Sequence, residues 1–352
     1  MRHLRLLAVT GSVLVAWTLA GSPLGAATLV VANKSEATVS LVDLASRAVR
    51  ATLPTAAGPH EVAVSPDGRT AIVSGYGPRG TAGSTLSVVD LPARRIARTI
   101  QLAPYSRPHG IAWTADGRRL LVTAEADRAL LVVDPERAIV ERALLTGAEL
   151  SHMVVASPDG RRAYVANIGS GSVTVFDLTT GQRLAEVRTG PGAEGIALTR
   201  DAAELWVANR EADSITVVDT TTLAPRTTLS APAFPIRLAA TPDGRSMLVT
   251  CAKSGDLAVF SVAEHRLTRR VPLPATPAAS ADHFAGDRFG TSSVPVGLVI
   301  DAEGRRAYVA HSNADLISVV DLTTWSKILD LRAGREPDGL GLSPWVLGAT
   351  AK

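Results

Sequence analysis

The stretch Gly58-Pro59-His60-Glu61-Val62-Ala63-Val64-Ser65-Pro66-Asp67-Gly68-Arg69 decides the fold. Its apolar half reads as a short strand and its second half as a tight reversal. Pro66 presets φ, Asp67 offers a side-chain hydrogen bond, and Gly68 supplies the backbone freedom the turn needs. The pattern returns at 107–118, 150–161, 193–203, 234–245, 294–305 and, shortened, at 336–344. Seven copies in a chain of 352 residues mark a repeat architecture rather than two or three separate domains.

One full unit is legible at 163–198. It holds Ala163-Tyr164-Val165-Ala166-Asn167, Ser172-Val173-Thr174-Val175-Phe176-Asp177, Arg183-Leu184-Ala185-Glu186-Val187 and Glu194-Gly195-Ile196-Ala197-Leu198. Each is a short alternating run bounded by turn residues, and no amphipathic helix interrupts them. The aspartate closing the second strand recurs at Asp43, Asp90, Asp134, Asp177, Asp219 and Asp321, with Ser261 in the remaining slot. A four-stranded unit repeated seven times predicts an all-β, seven-bladed propeller. The phase predicts its closure: residues 28–33 begin with a strand that follows the turn, and residues 337–342 end with one that precedes it. One blade must then combine both termini, its last strand innermost.

The chain is 46% hydrophobic and carries a formal net charge of +3, with no basic cluster interleaved with aromatics, which excludes nucleic acid as an expected partner. Met1 to Arg5, the apolar run from Leu6 to Ala20 and the small residues ending at Ala26-Ala27 read as a secretory signal, residues 1–27, cleaved near Ala26 or Ala27. The run is short for a membrane span, so a periplasmic or secreted protein with a single domain over 28–352 is expected. Cys251 is the lone cysteine, which excludes an intrachain disulfide.

The units Tyr164-Val165-Ala166-Asn167, Trp206-Val207-Ala208-Asn209 and Tyr308-Val309-Ala310-His311, each followed by an alternating strand and a turn, resemble YVTN repeats of YncE-like propellers. The resemblance covers 28–344 and implies the fold strongly. Its relatives include haem d1 propellers of nitrite reductase and the copper-cluster propeller of nitrous oxide reductase, so it implies no single activity.

Function must lie in what varies between copies. At the start of each innermost strand, where seven blades converge on the axis, stand His60, His109, His152, Glu194, Ile236, Val296 and Asp338. The end of the following strand, on the same face, is read as Asn33, Gly75, Glu125, Asn167, Asn209, Cys251 and His311. Three imidazoles beside carboxylates are the donor set of a zinc, copper or iron site, so His60, His109 and His152 are the candidate ligands. Glu194, Asp338, His311 and His283 are candidates for a further ligand or an orienting partner. An insertion at 276–293 carries Phe284, Asp287, Arg288 and Phe289, and a glycine-rich one at 75–84 carries Tyr76 and Arg79. These six, with Arg237, are candidates for a lid or a substrate-binding surface. Two other outcomes remain open: a binding scaffold for another exported protein, and a tetrapyrrole binder of the haem d1 kind with Arg237 or Arg288 on its propionates. The Asp-Gly turns and the strand-closing aspartates are read as structural, and Cys251 likewise.

Overall fold

In the computed structural model the described residues are 27–278 and 286–347, and they form seven four-stranded antiparallel sheets. Blades 1 to 6 occupy residues 59–101, 108–145, 151–188, 193–230, 235–272 and 295–331. Blade 7 has its innermost strand at Pro337–Ser343, followed outward by Thr28–Asn33, Thr38–Asp43 and Ala48–Pro54. The two termini therefore pair in one sheet, Thr28 opposite Ser343 and Asn33 opposite Pro337. Residues 1–26, which hold the expected signal, lie outside the described residues, as do His283 and Phe284 and the side chain of Asp287.

The turn chemistry works as its residues dictate. In the first copy the Gly68 amide donates to the Ser65 carbonyl at 2.8 Å, and Asp67 accepts from the Arg69 amide at 3.0 Å. Gly68 itself takes φ of 70°. The strand-closing aspartates do structural work too: Asp43, Asp134, Asp177, Asp219 and Asp321 each accept from an amide two or three residues on. Burial grades outward across each blade. The second strand Thr28–Asn33 is buried throughout, because neighbouring blades cover both its faces, whereas the outer strand Ala224–Ser230 alternates toward solvent. Between blades the core is aromatic and aliphatic, as where Trp206 meets Phe260 edge-on at 6.1 Å beside Met247 and Cys251. Cys251 is fully buried, and burial pushes its thiol pKa well up, so it behaves as a small core residue.

Candidate functional site at the channel mouth

Each innermost strand starts from a residue in the left-handed region: Gly58, Arg107, Leu150, Gly192, Phe234, Val294 and Glu336 all have φ between 52° and 75°. Five of these are not glycine, and Val294 is β-branched, so the conformation is strained and must be held from outside. The hold is one hydrogen bond repeated seven times. The carbonyls of these residues accept from the amides of Tyr76, Glu125, Ile168, Arg210, Ala252, Ser312 and Lys34. Immediately beyond, every innermost strand slips register against its neighbour. Such a bulge re-aims side chains, here toward the axis. In three blades a hydroxyl catches the bulged amide: Ser74 that of Glu61, Thr123 that of Gly110, and Thr250 that of Arg237.

Below this level the strands nearly touch. A Cβ on Gly195, Gly297 or Gly339 would fall 1.9 Å, 2.0 Å and 2.3 Å from a carbonyl oxygen of the next blade. The longer side chains in this tier are Glu61, Met153 and Arg237. Arg237 donates to Glu61 and, at 3.3 Å, to Glu194, closing the channel as a floor. Above the floor is a cavity of about 260 Å³.

Three imidazoles form one wall of the cavity as a stack. His109 lies 3.5 Å from His152 and 4.6 Å from His60, centroid to centroid, with ring planes 31° and 48° apart. Tyr76 stands edge-on to His60 at 4.8 Å and to His109 at 5.6 Å. The outer two imidazoles face carboxylates. His60 Nδ1 is 2.7 Å from Asp338 Oδ2, which also meets Lys34 at 3.3 Å. His152 lies 3.6 Å from Glu125 and 3.5 Å from Glu194, ion-pair distances rather than hydrogen bonds. Arg210 completes the pairing of Glu194. His109 has no such partner, and its buried Nδ1 has no hydrogen bond.

This asymmetry sorts the protons. Burial and the charge on Lys34 lower His60 to about 4 despite Asp338. Burial and the two flanking imidazoles hold His109 well below the usual value. For His152 burial opposes the charge, but Glu125 and Glu194 outweigh it and the pKa is raised. The two neutral rings thus flank the open side of one favoured imidazolium. Asp338 fixes His60 as the Nδ1–H tautomer and leaves its Nε2 as a base. Burial opposes ionisation of Asp338 and Glu194 as well, but His60 and Lys34 hold the first low and Arg210 the second. Two groups of one type with pKa values driven apart are an acid–base pair in waiting.

The axial ring read from the sequence is thus assembled: His60, His109, His152, Glu194, Ile236, Val296 and Asp338 all line the cavity, joined by Tyr76, Arg237, Arg288 and Phe289. Arg237 is a floor residue rather than part of a lid, and Arg79 is exposed and outside the lining. His311 is not at the cavity. It is fully buried at a strand end, with Nδ1 2.8 Å from Ser293 Oγ, in the slot where Asn167 bonds Ser172 and Thr174. Sequence spacing assigns Glu125 to that same slot, but pairing puts Ala124 there and Glu125 one residue beyond. That next position is the second ring of the mouth, and it contributes Lys34, Tyr76, Glu125, Ile168, Arg210 and Ser312. Counting one residue past each strand end would have found Lys34 and Arg210.

The donor set does not suit a chelated transition ion. An imidazole lone pair lies in its ring plane, so tilted rings packed face over face at centroid distances of 3.5 Å and 4.6 Å do not aim three lone pairs at one centre. His60 and His152 are moreover occupied by carboxylates. Among the described residues no group of three or more His, Cys, Asp or Glu is arranged to hold a metal ion. Apolar side chains make up much of the remaining lining, Ile168, Phe234, Ile236, Phe289 and Val296, with Lys34, Arg210 and Arg288 among them. Arg210 and Arg288 both lie over the Phe234 ring, at 5.4 Å and 5.2 Å.

Seven closed blades around an axial cavity define a β-propeller with a ligand-sized mouth. The chain is similar to the YncE-like propellers: the family model described as YNCE-like beta-propeller matches its residues 120–284. It is 28% identical over 177 residues to protein NirF of Stutzerimonas stutzeri, covering 47% of this chain and 44% of NirF. It is 25% identical over 196 residues to the uncharacterized protein YncE of Salmonella typhimurium, covering 54% of each. The chain thus spans about half the length of these curated relatives, or less. Among solved structures, dihydro-heme d1 dehydrogenase NirN in complex with DHE superposes with a TM-score of 0.63 and 16% identity over 91% of this chain and 75% of NirN, a likeness of fold. Among the described residues no helix is long and apolar enough to cross a membrane.

Proposed function

We propose that this is an exported small-molecule-binding propeller whose channel mouth takes a flat, conjugated, carboxylate-bearing ligand of the tetrapyrrole class. The observation that carries the reading is His109: a neutral imidazole, pinned in a stack on the cavity wall, with a buried ring nitrogen left unpaired. Unpaired buried donors and acceptors are costly, and a site that keeps one is a site built around something else. The aliphatic and phenyl side chains opposite supply area for a flat ring, and Lys34, Arg210 and Arg288 supply charge for its acids. NirN, a neighbour in fold, is a tetrapyrrole protein by its description, which supports the class of ligand. When bound, a tetrapyrrole would supply a conjugated macrocycle and, where metallated, a redox-active ion. The chain's own contribution is to exclude water with the Arg237 floor, orient the ring against the stack, and hold a base at His60 Nε2 beside the His152 imidazolium.

The test is titration of the purified protein with haemin, followed by its Soret absorption. The expected result is a saturable one-to-one shift, weakened at least tenfold by His109→Ala. Equal binding by the variant, or no shift in the intact protein, overturns the reading. Stoichiometric copper, iron or zinc in protein purified without chelator, lost from the His60→Ala, His109→Ala, His152→Ala triple variant, would favour the metal reading instead. No ligand of either kind would leave a scaffold for another exported protein.

A further inference from the structure

The mouth cavity does not end at the axis. A groove of about 510 Å³ runs outward between blades 3 and 4, and it shares Leu150, Ile168 and Arg210 with the mouth. At about 260 Å³ the mouth is slightly smaller than the roughly 300–1,000 Å³ usual for ligand pockets, and the two joined fall inside that range.

The groove exists because two loops lack side chains. Blade 3 turns through Ile168-Gly169-Ser170-Gly171, whereas the matching turns elsewhere read Glu125-Ala126-Asp127-Arg128 and Arg210-Glu211-Ala212-Asp213. The crossing to blade 4 is Gly190-Pro191-Gly192. The two loops touch by main chain: a Cβ on Gly171, at φ of 60°, would fall 2.7 Å from the Gly190 carbonyl oxygen. Larger residues there would force the loops apart and fill the notch. Gly192 likewise lets the Arg210 side chain lie across the strand start, since a Cβ would meet its Cγ at 2.8 Å.

Charge marks both ends of this groove. At the inner end, Arg210 spends one terminal nitrogen on Glu194, and its buried Nε has no hydrogen-bond partner, lying 4.0 Å from Glu211 on the groove's edge. At the outer end is Arg188, exposed on the outermost strand of blade 3. Among the described residues no carboxylate pairs with it.

We propose that this groove is a subsite for an acidic arm of the ligand, which leaves the mouth past Arg210 and ends on Arg188. The inference rests on the ligand class proposed above and adds to it a direction and a length. The ligand is a flat group bearing at least one flexible carboxylate chain, bound with that chain between blades 3 and 4.

Haemin, with two carboxylates, and its dimethyl ester, with none, separate the two claims. Arg188 is exposed and outside the core, so Arg188→Glu leaves the ring folded. The expected result is haemin affinity reduced about five- to tenfold by Arg188→Glu, as for an ion pair turned into a repulsion, with ester affinity unchanged. Arg95→Glu, equally exposed on another blade, controls for overall charge and should leave both affinities alone. Haemin bound equally by Arg188→Glu and the intact protein overturns the groove and leaves the mouth standing. Equal loss for haemin and ester also overturns it, since the effect would not be carboxylate recognition. Failure of the intact protein to bind either probe overturns the ligand class and the groove with it.

Discussion

Replacing His311 by Asn should remove much of the protein's sensitivity to mild acid. His311 is fully buried, its Nδ1 meets Ser293, and its Nε2 has no partner, so a second proton would have no acceptor. Burial accordingly lowers it from 6.5 to about 4. The folded pKa lies below the unfolded one, so the unfolded chain takes up the proton first as pH falls. The stability His311 contributes is complete above about pH 6.5 and is lost on the way down to about 4. With those two values linkage gives a loss of roughly 2 kcal/mol by pH 5 and roughly 3 kcal/mol by pH 4, relative to pH 8. Asn suits the slot, because Asn33, Asn167 and Asn209 hold it in other blades and reach Ser40, Thr174 and Thr216 at 2.8 to 3.0 Å. In blade 6 the corresponding hydroxyl is Ser318. His60 and His109 titrate in the same sense, so the useful quantity is the difference between the two proteins. Urea unfolding of each, at steps from pH 8 to pH 5, should show that difference shrinking or reversing by roughly 2 kcal/mol in favour of the variant. Any constant offset from repacking cancels. Parallel curves over that range would refute the assignment of His311 as a buried neutral imidazole.

Two further substitutions test the channel and the ring closure. Arg237→Met leaves Glu61 and Glu194 without their shared buried cation and should destabilise by about 3–5 kcal/mol in urea unfolding. Adding Glu61→Gln should recover part of that loss, whereas additive losses would mean the floor is not a coupled network. Ending the chain before Pro337 removes the innermost strand of blade 7 and bares the edge of Thr28–Asn33. Loss of the near-ultraviolet circular dichroism and of a cooperative unfolding transition is expected, and a truncated chain that kept both would show that terminal pairing does not close the ring.

The fold was legible because its grammar is local. A proline, an aspartate and a glycine stand together at 66–68, 158–160 and 242–244, Asp116-Gly117 keeps two of the three, and even Ala202, standing where glycine usually does, takes φ of 55° under the pull of the same turn. The axial ring was legible for a related reason: it sits at a constant offset from that turn, so His60, His109 and His152 could be aligned across 45-residue gaps. Glu125 shows where the reading fails. Its blade has a strand one residue shorter, Leu120–Ala124, and an offset counted from the wrong end slid a mouth residue into a structural slot. His311 fails in the opposite direction, since residue type alone makes a buried hydrogen-bonding ring look like a ligand.

What no spacing could supply is the relation between side chains that meet only across the axis. That three histidines converge follows from repeat alignment; that they stack instead of chelating does not. Stacking follows from neighbours contributed by other blades: Asp338 from the far terminus turns His60 outward, and Glu125 and Glu194, from the blades on either side of His152, draw its nitrogens apart. Each carboxylate takes a nitrogen that a metal would need. The same carboxylates drive the imidazole pKa values apart, leaving a base and an acid on one wall with an unpaired ring between them. A propeller mouth can therefore lose a chelating geometry and gain a proton-sorting one without altering a histidine, by changing only the acids that face it.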